Sequence, residues 1–400
     1  MTEAVEFIDV AVIGGGPAGL QTARLLAEGG ASVAVFEKKP DIGHNVVCTG
    51  FVGSEVFSEF RLPAETIGHE FQEAKIVSYS GRSIHYRHPV PFAAVVDRKR
   101  FDGILAGLAK NAGAEIETGT TVRDVAVSRD GLTIEAVRDG RPVRRGARLA
   151  VLATGIDRRL HAKLGLTPPT RTLHGAQVEI QDGGNAIPTI YVGPPTAPGG
   201  FAWSVPLGEG RFRVGLITDE RPQKVFEDFI ARHYPRLDLN GAVRRLEFKP
   251  ISQGMAKTTV GNRALAVGEA AGQVKTTTGG GIYYGLWGAR LASEVVLEAL
   301  KKDSLGAVAL SPYERRWKAG LRREISVGYY ARKAYSWMSE GQFETLFALA
   351  QSDGIIPLIQ REGHFDWQSG VILSLFRKAA VAEIFKGLSR KTAFLDRLLN

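Results

Sequence analysis

The sequence predicts an α/β protein in which a discontinuous Rossmann-type dinucleotide-binding domain is combined with an antiparallel-sheet domain and a helical C-terminal region. Three observations predict it. The apolar run Ile8-Asp9-Val10-Ala11-Val12-Ile13 opens into Gly14-x-Gly16-x-x-Gly19 and a helical pattern. A second strand–turn–helix pattern, rich in small residues, returns at residues 264–302. Between them lie segments that alternate polar and apolar residues, the period-two signature of half-buried strands.

In the opening unit each part has one physical task. Gly14 permits a tight turn, Gly16 lets the backbone approach a pyrophosphate, and Gly19 lets the helix pack against the strand. Pro17 and Ala18 begin the helix, whose free N–H groups and partial positive charge face the phosphates. The next strand, Ser32-Val33-Ala34-Val35-Phe36, ends at Glu37, followed by Lys38. An acid at that strand end accepts hydrogen bonds from a ribose and favours FAD or NAD over NADP.

The 400 residues, 44% hydrophobic, suffice for a large core and two or three domains. The 47 glycines suit a backbone that approaches a cofactor repeatedly. The single cysteine, Cys48, excludes an intrachain disulfide framework and a cysteine-based metal cluster, so a reducing compartment and no metal are expected. The acidic opening Met1-Thr2-Glu3-Ala4-Val5-Glu6 lacks the basic stretch of a signal peptide, and no apolar run reaches about 18 residues. A cytoplasmic protein is expected. Of the net charge of +9, most falls in residues 301–400, which hold 16 Lys/Arg and 10 Asp/Glu among aromatic and aliphatic residues. That pattern suits either a packed cap with a solvated basic face or peripheral contact with the inner face of a membrane. No nucleic-acid motif is present, so no nucleic-acid partner is expected.

Along the chain, residues 70–90 predict an antiparallel hairpin turning at Ser80-Gly81, and a helix follows at about 98–112. Residues 114–154 predict short strands with Asp-Gly turns at 130–131 and 139–140. Residues 170–254 predict a mostly antiparallel sheet with a helix near 222–234. Residues 264–302 return to strand–loop–helix style, and the chain is helical from about 305. The cofactor domain is therefore expected from 1–60, 91–156 and 256–302, the substrate sheet from 61–90 and 157–255, and the helical region from 303–400.

Three further motifs fall on these elements. Asp97-Arg98 opens the helix at 98–112, with Asp97 as N-cap and Arg98 positioned for a cofactor phosphate or ring edge. The strand Arg148–Ala153 closes at Ala153-Thr154-Gly155, where small residues suit an adenine–ribose contact, and Val122 on a neighbouring strand is a further candidate. Ala266-Val267-Gly268-Glu269 leads to Thr278-Gly279-Gly280-Gly281-Ile282 at the start of a long helix. Glu269 suits a ribityl or ribose hydroxyl. The N–H groups at Gly279, Gly280 and Gly281 suit negative charge on a reduced flavin ring.

These motifs, in this order, resemble the two-dinucleotide-fold flavoproteins of the para-hydroxybenzoate hydroxylase structural group. The resemblance implies FAD held by a Rossmann-type domain against a sheet-built substrate domain. Ile42-Gly43-His44-Asn45-Val46-Val47-Cys48-Thr49-Gly50 and Phe201-Ala202-Trp203-Ser204-Val205-Pro206 are similar to segments of the geranylgeranyl reductase family. The resemblance implies that Cys48, with Thr49 and Gly50, lies near the flavin with Cys48 in a catalytic role. It also implies that Phe201, Trp203 and Pro206 line a prenyl pocket. The chain departs from the family at Val205 (Phe in the family), Glu269 (Asp) and Thr276 (Pro).

The implied activity is reduction of isoprenoid C=C bonds in a geranylgeranyl lipid, chlorophyll precursor or polyprenyl quinone. Electrons would come from NAD(P)H or a ferredoxin-like protein, since no second Gly-x-Gly-x-x-Gly unit marks a nicotinamide site. Two alternatives stand beside it. The aromatic-x-Trp-x-x-Pro stretch also resembles a halogenase pattern, which implies a flavin monooxygenase or halogenase. A quinone-linked electron-transfer flavoprotein is the other, although one cysteine cannot ligate the iron–sulfur cluster of related members.

Overall fold

The computed structural model describes residues 7–181, 186–238, 245–352 and 355–386. The acidic opening and the last residues of the basic C-terminal stretch lie outside that range. The aliphatic strand Phe7–Ile13 runs into helix Pro17–Glu28, with Pro17 in the first turn, where a missing N–H costs nothing. The chain returns as strand Val33–Phe36, parallel to the first with Val10 opposite Val33 and Ile13 opposite Phe36.

These strands form the centre of an eight-stranded sheet. Its main order is Val260–Gly261, Ala264–Ala266, Arg141–Leu152, Phe7–Ile13, Val33–Phe36, Glu115–Glu117, and Thr120–Val127 and Leu132–Arg138 branch from the long strand. The four core pairings are parallel, and they place the strand ends Ile13, Leu152 and Ala266 side by side. Helices Pro17–Glu28, Arg98–Asn111 and Ile282–Lys301 pack together on one face around Leu20, Leu26, Leu105 and Leu286. A sheet buried on both faces explains why these strands read as continuous apolar runs.

A second, seven-stranded sheet runs Glu247–Gln253, Arg171–Gln181, Arg211–Thr218, Phe201–Gly208, Thr189–Val192, Glu73–Ser78, Ser83–Arg87. The expected hairpin at 70–90 is its outer pair. It joins the rest through one parallel pairing, Thr189 opposite Lys75, a long-range contact with no local signature. Phe51–Gly53, Ala93–Val95 and His69–Phe71 form a small third sheet. Three-residue strands are too short to show a period, and the sequence reading missed them. It also began the strand ending at Leu152 at Arg148, whereas the strand starts at Arg141, where exposed arginines mask the pattern.

Helix Pro222–His233 covers the outer face of the second sheet with Val225, Phe226, Phe229 and Ile230. At its end His233 packs 4.6 Å from Tyr191 and 4.8 Å from Phe229. Burial first, then the neighbouring Arg232, push its imidazole down to about 4. Below its ordinary value of 6.5 the unfolded chain takes up a proton that the folded chain refuses. Stability is therefore expected to fall between that value and about 4, and not above it. Denaturation midpoints of the protein and of His233→Phe, compared at about pH 5 and about pH 7.5, check this: the variant should lose less on acidification.

The C-terminal region is helical. Helix Ala307–Ser336 fixes its first half with fully buried Trp317, whose Nε1 donates to Thr259 Oγ1 at 2.9 Å. Helices Glu340–Ser352, Ile355–Glu362, Ser369–Phe376 and Ala379–Lys386 follow, some packing on the outer hairpin through Ile84, Phe343, Phe347 and Ile355. Among the described residues no helix is long and apolar enough to cross a membrane.

Candidate active site

The glycine turn after the first strand has the geometry its spacing predicts. Gly14 adopts φ +114°, and a Cβ there would lie 2.3 Å from the Ala153 carbonyl oxygen. A Cβ on Gly19 would lie 2.1 Å from the Gly14 oxygen, so helix and strand are in backbone contact. A Cβ on Gly16 would meet nothing within 4 Å, leaving open volume at a helix start with no side-chain cap. Glu37 turns toward this loop: one carboxylate oxygen accepts from the Gly15 N–H at 2.7 Å, the other from the Lys39 N–H at 2.9 Å. Lys38 beside it is exposed.

A cavity of about 720 Å³ runs from this loop between the two large sheets. Its near wall is Gly16, Pro17, Ala18, Ala153, Gly155, Gly268 and Glu269, and its floor is Gly279, Gly280, Gly281 and Ile282. Gly281 precedes helix Ile282–Lys301, again with no side-chain cap, so first-turn N–H groups point at the cavity without intrahelical partners. Glu269 already accepts from the Ser252 N–H at 3.0 Å and lies 3.7 Å from Lys249 Nζ. Six cofactor candidates fall outside the cavity wall: Gly14 and Gly19, which shape the turn behind it, Glu37 and Lys38, and Val122 and Thr154. Thr154 turns its hydroxyl to the Asp157 carbonyl at 2.8 Å, and the Val122 side chain is 7% exposed inside the core beneath the first sheet.

Cys48, Thr49, Gly50 and Arg98 form another part of the wall. Arg98 is not left free for a phosphate: its Nε and Nη2 donate to both oxygens of Asp102, at 2.9 and 2.7 Å. The positive charge of the same guanidinium acts on the Cys48 thiol, and the Gly50 N–H approaches the sulfur at 3.4 Å. Burial, the largest single influence, would raise the thiol, but the positive charges of Arg98 and Lys249 together with hydrogen bonding from the Gly50 N–H hold it below its ordinary value. Arg213 pins the segment by donating to the carbonyls of Cys48 and Thr49 at 3.2 and 2.7 Å.

The opposite wall is apolar. Phe201, Trp203 and Val205 line it from alternate positions of one strand, with the Phe201 and Trp203 rings 5.7 Å apart. Trp203 lies flat on the next strand, where a Cβ on Gly215 would come within 2.5 Å of its ring. Pro206 does not join them. With a side-chain period of two it falls on the other face, paired with Phe212 and buried away from the cavity. Val205, noted only as a departure, is the residue that faces the cavity.

Several cavity residues escaped sequence reading. Arg332 and Tyr335 enter from the long C-terminal helix, and Phe365, Asp366 and Gln368 from the segment after residue 362. That segment docks through hydrogen bonds from Thr277 to Gln368 at 2.5 Å and from Tyr284 to the Asp366 carbonyl at 2.9 Å. Thr276 donates to the Ile325 carbonyl at 2.7 Å, a bond that the family's proline could not make. No local pattern marks such residues, because tertiary packing alone brings them to the cavity.

The residues present fit a flavin dinucleotide. The open volume above Gly16 and the second uncapped helix start at Gly281 would suit a pyrophosphate and a flavin ring, and Glu37, held behind the glycine turn by the Gly15 and Lys39 N–H groups, would be the carboxylate nearest in sequence to a ribose. Fold and site together define a FAD-dependent oxidoreductase. Comparison with known proteins carries this further. The family model described as FAD dependent oxidoreductase matches residues 9–80. A digeranylgeranylglycerophospholipid reductase of Methanocaldococcus jannaschii is 30% identical over 378 residues, covering 89% of this chain and 94% of the relative. That of Methanospirillum hungatei is 29% identical, covering 84% and 88%. A geranylgeranyl bacteriochlorophyll reductase-like structure from Thermoplasma acidophilum superposes with TM-score 0.83 at 22% identity, over 97% of this chain and 100% of that one. A flavin-dependent brominase shares the fold with TM-score 0.71 at 14% identity, over 97% and 99%. The chain belongs to the geranylgeranyl reductase family of FAD-dependent oxidoreductases, on a scaffold shared with the tryptophan halogenase family, whose model matches residues 58–332.

Proposed function

We propose that this enzyme saturates the isoprenoid C=C bonds of a geranylgeranyl lipid, with a glycerophospholipid carrying such chains as the favoured substrate. The names of the relatives support that class. The observation that carries the reading is the cavity itself. One wall is the glycine-rich cofactor side, and the facing wall is Phe201, Trp203, Val205, Ile190 and Ile217, with no carboxylate among them. That wall suits a prenyl chain better than a charged substrate. In this reading 1–60, 91–156 and 256–302 hold FAD, while 61–90 and 157–255 hold the lipid.

FAD, when bound and reduced, would supply a hydride. The chain's own residues do the rest. An isolated alkene accepts hydride poorly, so the cavity must exclude water and stabilise positive charge as it develops. The Trp203 face offers such stabilisation, and its bed on Gly215 holds the ring in place. Cys48, whose carbonyl accepts from Arg213 and whose thiol lies in the field of Arg98, borders the cofactor side. The basic C-terminal region supports docking on a membrane that presents the lipid, and electrons come from NAD(P)H or a ferredoxin-like protein.

Incubating the reduced enzyme with geranylgeranyl glycerolipids should add about 2 Da per saturated bond by mass spectrometry, the mass of the hydride and proton gained. If no prenyl lipid gains mass, while aromatic substrates elicit NADPH-dependent oxygen uptake, the monooxygenase or halogenase reading replaces this one.

A further inference from the structure

Each C=C bond saturated takes up one hydride and one proton. The reduced flavin supplies the hydride with its two electrons, and the proton comes from water. The cavity is mostly apolar, so a proton needs a route into it. Lys275 and Asp366 lie on its wall, paired at 2.7 Å with side chains only 5% and 2% exposed. Lys275 sits on the floor loop: its N–H donates to the Gly280 carbonyl, and a Cβ on Gly280 would lie 3.4 Å from Nζ. A buried ion pair is weak evidence for stability, which leaves its presence at this wall to be explained.

Among the described residues the second oxygen of Asp366, Oδ2, is buried without a hydrogen-bond partner. The same holds for Oε2 of Glu55. These two orphaned oxygens meet at Gly53, where a Cβ would lie 2.5 Å from the first and 2.7 Å from the second. A proton set beside Gly53, or a water carrying one, satisfies both. The other Glu55 oxygen is 3.6 Å from His364 Nε2, and both of these side chains reach solvent. An acceptor–donor series thus runs from the surface to the cavity wall.

We propose that Glu55, Asp366 and Lys275 form the route by which protons enter the cavity. Lys275 Nζ would give its proton to the alkene carbon that does not receive the hydride, or, with no lipid present, to the reduced flavin, and so become neutral. Asp366 restores it, after its carboxyl group turns, with a proton taken up beside Gly53. Glu55 refills that position from water, and the series ends with its starting charges. Lys275 is the catalytic residue of the three, and Glu55 and Asp366 act through it. The inference rests on the flavin placement above but not on the identity of the lipid.

The test uses the holoenzyme without lipid. A light pulse with an external photosensitiser and a sacrificial electron donor reduces the bound flavin in weakly buffered solution. A pH-indicator dye then follows proton uptake against flavin bleaching. Glu55→Gln removes a carboxylate that is 41% exposed, so it strands no buried charge. It is expected to slow uptake at least about tenfold at unchanged flavin content. Formate, a small diffusible acid, should restore the rate, which a purely structural loss would not allow. Gly53→Ala, which keeps every charge but sets a methyl group between the two oxygens, is expected to slow uptake as well. Uptake at the parent rate in both variants overturns the route. The lipid assay above fails or succeeds independently of this result.

Discussion

Gly14→Ala is expected to purify without flavin and to lose about 2–5 kcal/mol of stability, because two costs add. The residue adopts φ +114°, a backbone region closed to side chains without strain. The new methyl group would also lie 2.3 Å from the Ala153 carbonyl oxygen, in a place where two packed backbones cannot both yield. Gly16→Ala provides the contrast. Its methyl group meets nothing within 4 Å, so the chain should fold with near-parent stability. It would occupy the volume assigned to the pyrophosphate, so FAD affinity should fall. Flavin absorbance per chain and the denaturation midpoint of the flavin-free protein separate the two effects. Parent affinity for FAD in Gly16→Ala would mean that the phosphates do not lie over this helix start.

That contrast marks how far the sequence could be read. Local geometry was legible. The Gly14 turn, the Asp97 cap, which accepts from the Arg100 N–H at 2.8 Å, and the Asp139-Gly140 hairpin turn each depend on neighbours a few residues away. Alternation also placed Phe201 and Trp203 on one face, and applied one step further it would have placed Val205 there and excluded Pro206. What stayed hidden was long-range. Arg98 looked free because its bidentate partner, Asp102, reads in sequence as an ordinary acid in a charged helix start. Asp366 reaches Lys275 across 91 residues, and no periodicity announces such a meeting. The C-terminal region showed its helical class but not that its Phe365, Asp366 and Gln368 line the same cavity as Gly279, Gly280 and Gly281.

Lys275→Met is expected to cost about 3–5 kcal/mol, although the pair it breaks contributes little net stability. The reason is asymmetry. Asp366 is 2% exposed, its Oδ2 has no partner among the described residues, and loss of the ammonium leaves a whole buried charge uncompensated. Asp366→Leu should incur a comparable cost by stranding the ammonium, which would keep only neutral contacts with Phe365, its carbonyl at 3.5 Å and its ring at 4.3 Å. The double variant Lys275→Met/Asp366→Leu removes both charges at nearly constant volume and should regain most of the loss. Chemical denaturation of all four proteins closes the cycle, and a double variant no more stable than the worse single one would refute the charge argument. The double variant also separates folding from function. A chain that is stable and binds flavin, yet takes up protons slowly, has lost the group that brings the proton to the cavity wall. Such a chain would show why an ion pair of little net worth to the fold stands beside the glycine loop that opens helix Ile282–Lys301.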